Sequence, residues 1–185
     1  MKVVFRILKM KVPLWLLLLT GVIITIESVQ IVSEIRLHSE YRRYFIEKIR
    51  FNSDGIYQNL EYICQNKDDK EKISSSLIGA YHYSNALDDT HYFILQRGAF
   101  NGEKTYTGYE ARKFVTFSYV KSALEQILNE YKETNNLSES DYKTIQLFCE
   151  EFRNLSEAIT ENPYMTNEQF VDCVKELYTS VYSQQ

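Results

Sequence analysis

Glycine and proline are scarce, six and two among 185 residues. Sandwiches and barrels built of short strands need many more turn residues, so the shortage points to long uninterrupted helices. Cysteine is nearly as rare: Cys64, Cys149 and Cys173 make an odd count with no close pair. A zinc ribbon or finger requires at least one such pair, which excludes a structural zinc site, and at least one thiol has no partner within the chain. Cys149 and Cys173 fall on two helical segments that reverse near residue 164. Their axial offset is then about 9 Å, beyond the roughly 7 Å a disulfide tolerates between Cα atoms, so buried free thiols are expected.

Positive charge is missing from most of the chain. The net charge is −4, yet Lys2, Arg6, Lys9 and Lys11 put +4 into the first 26 residues, leaving −8 for the rest. Such a domain repels phosphate backbones, and no basic stripe offsets the repulsion, so DNA and RNA are excluded as partners. Catalytic signatures are absent too: there is no Gly-x-Ser-x-Gly, no His-Glu-x-x-His and no phosphate-cradling glycine loop. Neither an enzyme nor a bound cofactor is expected.

What the chain does have is one long apolar run. Val12 to Ile26 carries no charge, and Glu27 is the only interruption before Glu34. About twenty residues cross a 30 Å hydrocarbon core, so the window through Val32 is long enough if Lys9 and Lys11 snorkel. A cleaved export signal would end in small residues, whereas the exit here reads Ile26-Glu27-Ser28. A buried soluble helix would show one polar side, and this run is apolar on all faces. An uncleaved signal anchor is the expectation. Basic residues before it and acidic ones after it place the N-terminus in the cytoplasm.

Beyond the anchor the pattern is helical. Ile31, Ile35, His38, Arg42, Phe45, Ile49, Asn52, Ile56, Leu60 and Ile63 recur every three or four residues, with a break expected at Asn52-Ser53-Asp54-Gly55. After a reversal at Asn66 to Glu71, a second seam runs Ile73, Leu77, Ala80, Ser84, Leu87, His91 and Ile94. A third has Phe117, Val120, Leu124, Ile127 and Tyr131, stopping near Thr134-Asn135-Asn136. The fourth has Ile145, Phe148, Phe152, Leu155 and Ile159, starting after Ser138 with Asp141 in its first turn and ending at Asn162-Pro163. The fifth opens on the capping box Thr166 and Gln169 and presents Phe170, Val174, Leu177 and Val181.

The predicted fold is therefore all-α: a basic cytoplasmic tail over residues 1–11, a transmembrane signal anchor over 12–32, and an extracytoplasmic antiparallel bundle of four to five amphipathic helices over 33–185. One stretch departs from the rhythm. Residues 97–109 hold three of the six glycines and the hairpin dipeptide Asn101-Gly102, which suits a long loop or a small β-hairpin.

Candidate sites are few. His82, Asp88, Asp89 and His91 gather ligand-type side chains, but only Asp88 and His91 are spaced to share a metal on a helix, and two ligands do not make a site. No metal is expected. Glu150 and Glu151 are adjacent and diverge by about 100° on a helix. The fifteen tyrosines mostly fit helix-seam edges, but Phe100, Tyr106 and Tyr109 sit in the glycine-rich segment, where loops carry recognition, and are the candidate partner contact. His38, Arg42 and Asn52 are polar residues on an apolar seam, the pattern that fixes register in a dimer.

The layout resembles the helical sensor modules of bacterial chemoreceptors and sensor kinases. The chain stops at Gln185 with no second apolar segment for a return span, which favours an anchored partner, inhibitor or assembly subunit of another envelope protein, or of a second copy of itself. A helical sensor or ligand-binding module is the first rival, and an envelope hydrolase the second.

Overall fold

The computed structural model describes residues 13–97, 115–165 and 167–182. Among them are five helices and no strand: α1 Leu14–Gln65, α2 Lys70–Arg97, α3 Val115–Thr134, α4 Glu139–Glu161 and α5 Asn167–Tyr182. The chain divides into two compact units, Met1–Glu40 and Tyr41–Gln185, and α1 contributes residues to both. The expected loop or hairpin at 97–109 falls outside the described residues except for Arg97, the last residue of α2.

In the first unit every described side chain from Leu18 to Ser33 is exposed. Trp15, Leu18, Ile24 and Val29 lie between 57% and 63% exposed, so apolar groups cover all sides of the helix. The hydroxyls in this stretch turn inward: Thr20 donates to the Leu16 carbonyl at 2.8 Å, Thr25 to Gly21 at 2.8 Å and Ser28 to Ile24 at 2.7 Å. Among the described residues no helix is long and apolar enough to cross a membrane, so the transmembrane helix expected over 12–32 lacks support here. The uncharged run explains why. Its helical part, Leu14 to Ile26, is thirteen residues and rises only about 20 Å before Glu27.

The second unit is an antiparallel bundle. Its core is the set of seams read from periodicity: Phe45, Ile49, Ile56, Leu60 and Ile63 on α1, Ile73, Leu77, Ala80 and Leu87 on α2, with equivalent runs on α3, α4 and α5. The largest buried side chains are Phe117, Phe148, Phe152 and Phe170, each contributing on the order of 1.5–3 kcal/mol by leaving water. The first seam does not begin where expected, since Ile31 is 56% exposed and, among the described side chains, the first buried one is Phe45.

Helix ends follow local chemistry. Asn66 closes α1 by donating both its backbone N–H and its Nδ2 to the Tyr62 carbonyl at 3.0 Å. Asp69 opens α2, its Oδ1 accepting from the Lys72 N–H at 3.2 Å. Asn135 takes the left-handed conformation, φ 51°, and its N–H bonds the Tyr131 carbonyl at 2.7 Å to stop α3. Ser138 and Asp141 form the reciprocal capping box of α4, at 3.1 and 2.8 Å.

The break expected at Asn52-Ser53-Asp54-Gly55 does not occur, and α1 runs straight through it. Gly55 serves a different purpose from a turn: a Cβ there would lie 2.5 Å from Cγ of Tyr83, so the missing side chain lets α2 lay an aromatic ring on the α1 backbone. Tyr83 in turn meets Phe51 edge-on, with centroids 5.9 Å apart. Gly79 on α2 does the reverse, lying against the Asn59 side chain of α1.

Candidate functional site

The antiparallel order of α1, α2, α3 and α4 follows from paired contacts. Asp88 of α2 accepts from Ser118 Oγ at 2.5 Å and from Lys121 Nζ at 3.4 Å, and Tyr131 Oη at the far end of α3 donates to the Lys70 carbonyl at 2.9 Å. Tyr119 of α3 packs edge-on against Phe148 of α4 at 6.4 Å. From Tyr41 onward α1 returns to α4, so these four helices close on one another, and α5 lies against α3 and α4.

The α1–α4 seam gathers the most chemistry. Ser156, buried, donates to Asp54, which also receives Arg50 Nη1 at 3.1 Å. Arg153 Nη2 donates to Glu61 at 2.5 Å while its guanidinium lies 5.1 Å above the Tyr57 ring. Cys149 Sγ lies 3.8 Å from the Tyr57 carbonyl. Burial pushes the Cys149 thiol up to about 11, and Cys64 adds to the rise. Burial likewise raises Cys64 and Cys173, and all three cysteines are free. In the bundle interior Asn52 Nδ2 and Ser53 Oγ are buried without a hydrogen-bond partner.

A cleft of about 170 Å³ lies between α4 and α5, lined by Glu151, Cys173, Glu176 and Ser180 among others. Burial raises the Glu151 carboxyl, the Ser180 hydroxyl opposes the rise, and Glu150 and Glu176 add to it. No cluster of three or more His, Cys, Asp or Glu able to hold a metal occurs among the described residues.

The candidate residues separate accordingly. Asn52 is 4% exposed and faces the interior of its own bundle, so a second copy reaches it only if the helices part. His38 and Arg42 lie on α1 with side chains outside those described, as does His91 on α2, and Phe100, Tyr106 and Tyr109 fall outside the described residues. Asp88 is tied to α3, while His82, Asp89 and Glu150 are exposed, the first two on α2 and the third on α4. Sequence reasoning missed the Asp54–Ser156 and Glu61–Arg153 links, because polar pairs across 102 and 92 residues leave no local signal. It also missed the exposed rings Tyr44 and Phe51, 60% and 59% exposed and seven residues apart on one face of α1.

Comparison with protein-family models, with curated proteins and with solved structures returns no match, so the chemistry of these residues alone carries a functional reading.

Proposed function

We propose that the chain is a membrane-attached helical protein whose bundle works by binding another envelope protein and not by catalysis. The supporting observation is the helix from Trp15 to Val32: large apolar side chains on every side, with hydroxyls bonded back to their own helix. A helix whose hydroxyls need no water suits lipid, where an unsatisfied polar group costs several kcal/mol. The short uncharged run then spans by drawing on Val29, Ile31 and Val32 and on snorkelling lysines, with the acidic bundle outside the cytoplasm.

The interaction reading draws on what occupies the polar groups. Asp54, Glu61 and Asp88 are engaged in helix-to-helix bonds, so these carboxylates serve the fold. Tyr44 and Phe51 offer exposed rings of the type enriched at protein interfaces, and Phe100, Tyr106 and Tyr109 are retained as proposed contacts from their sequence pattern. A ligand-binding module is the second reading, supported by the unpartnered Asn52 Nδ2 and Ser53 Oγ in the bundle interior.

Alkaline carbonate extraction of membranes from cells making the full chain tests the attachment. Retention in the pellet, lost on Ile23→Glu, is expected, and release of the unaltered chain into the supernatant overturns it. Chemical crosslinking in the same membranes tests the interaction. Repeated recovery of one envelope protein, weakened by Phe51→Ser, is expected, and recovery of self alone counts against a foreign partner.

A further inference from the structure

Cys64 and Cys149 lie on facing positions of α1 and α4, and the register of those helices fixes how near. Asp54 opposite Ser156 sets Cys149 level with residue 61, and Glu61 opposite Arg153 sets it level with residue 65. Cys64 is thus offset along the axis by about 1.5–4.5 Å, at 1.5 Å per residue. The Cys149–Cys173 pair is offset about twice the upper figure.

The angular condition is met as well. Cys64 lies three residues beyond Glu61 and Cys149 four before Arg153, so both continue the stripe that carries that ion pair. Cys149 Sγ already reaches α1, 3.8 Å from the Tyr57 carbonyl, and Cys64 is seven residues on from Tyr57. Side chains lean toward the N-terminus of their own helix, and in the register set by Asp54 and Ser156 those leans make Cys64 and Cys149 converge. Cys64 packs against the same core that buries Cys149.

We propose that Cys64 and Cys149 form a disulfide that staples α1 to α4 when the folded chain meets a small-molecule disulfide, leaving Cys173 as the single thiol. In the first step the thiolate of Cys64, the more exposed of the two, attacks one sulfur of the oxidant, forming a mixed disulfide and releasing one thiol. The Cys149 thiolate then attacks the Cys64 sulfur, and the second thiol leaves. Two S–H bonds are lost, one S–S bond forms, and the small disulfide is reduced to two thiols. Such a bond persists outside the cytoplasm, in keeping with the proposed placement of the bundle. The pairing itself rests on helix register, so the purified chain tests it whatever the membrane extraction shows.

The full chain in detergent micelles is incubated with oxidised glutathione, the remaining thiols are alkylated, and the digest is read by mass spectrometry. The expected product is a chain lighter by about 2 Da before alkylation, with a Cys64–Cys149 peptide pair and Cys173 alkylated. Cys173→Ser keeps the bond, while Cys64→Ser and Cys149→Ser each abolish it with an unchanged helical circular dichroism spectrum. A bond to Cys173, three alkylated thiols after oxidation, or a Cys64–Cys149 bond that forms only in urea overturns the proposal.

Discussion

Replacing Gly55 by alanine tests the packing of α2 on α1. In an exposed helix this change stabilises by about 1 kcal/mol, since alanine is the better helix former. Here the added Cβ lies 2.5 Å from Cγ and 2.6 Å from both Cδ atoms of Tyr83. Carbon atoms rest at about 3.5–4.0 Å, so the root of the ring must retreat by at least about 1 Å. The ring root cannot swing aside as a flexible chain end does, and the same ring also packs edge-on against Phe51 at 5.9 Å. Overpacking of this kind costs about 1–3 kcal/mol, which outweighs the propensity gain and leaves Gly55→Ala less stable by up to about 2 kcal/mol. Urea unfolding of the full chain in micelles, followed by circular dichroism, measures it. In a Tyr83→Ala background the clash is gone and Gly55→Ala stabilises, which gives a coupling energy of about 1–3 kcal/mol between the two sites. Gly79→Ala is the second contrast, because it meets the Asn59 amide, which can turn away only by giving up its 2.7 Å bond to the Gly55 carbonyl. If Gly55→Ala stabilises equally in both backgrounds, the close approach described above is wrong.

Three further outcomes follow from the same structure. Phe152→Ala leaves a cavity in the bundle interior and costs about 3–5 kcal/mol in the same unfolding assay, whereas a loss under 1 kcal/mol contradicts its full burial. Ser138→Ala removes the capping box of α4 and costs about 1 kcal/mol, with Ser140→Ala, on the exposed side of the same turn, as the near-neutral control. The Glu151 carboxyl is raised in the folded state, so its contribution is full below the ordinary value of 4.5 and is lost as pH rises through the raised value. Glu151→Gln therefore flattens the stability slope above pH 4.5 and raises stability at neutral pH, and an unchanged slope refutes the burial of that carboxyl.

The bundle was legible because its seams are regular. Phe117, Val120, Leu124, Ile127 and Tyr131 are buried as their spacing requires, and Ser138 with Asp141 announced the start of α4. Asn52-Ser53-Asp54-Gly55 misled because turn chemistry and helix-contact chemistry use the same residues. A glycine between polar groups reads as a turn until Tyr83, 28 positions later, shows what the space is for. Exposed aromatics such as Phe51 hide for the opposite reason, since periodicity reports the face that is buried and is silent on rings that stay in water. The run Val12 to Ile26 reads as apolar on all faces, and its described side chains are exposed on every side, but among the described residues no helix is long and apolar enough to cross a membrane.

The closure of α1 against α4 also has a consequence for how the chain is made. Asp54 waits for Ser156, 102 residues downstream, and Glu61 waits for Arg153, 92 residues downstream. At about 5–20 residues per second of synthesis, the α4-facing side of α1 stays uncovered for roughly 5–20 s after it is translated. Through that interval α2 covers the stripe around Gly55 and Asn59, while Asp54, Tyr57 and Glu61 wait for α4. Contacts of such long sequence separation also form late in refolding, because loop closure must precede them. This late seam also carries Cys64 and Cys149, so a nascent chain presents the two thiols separately before α4 can bring them near one another.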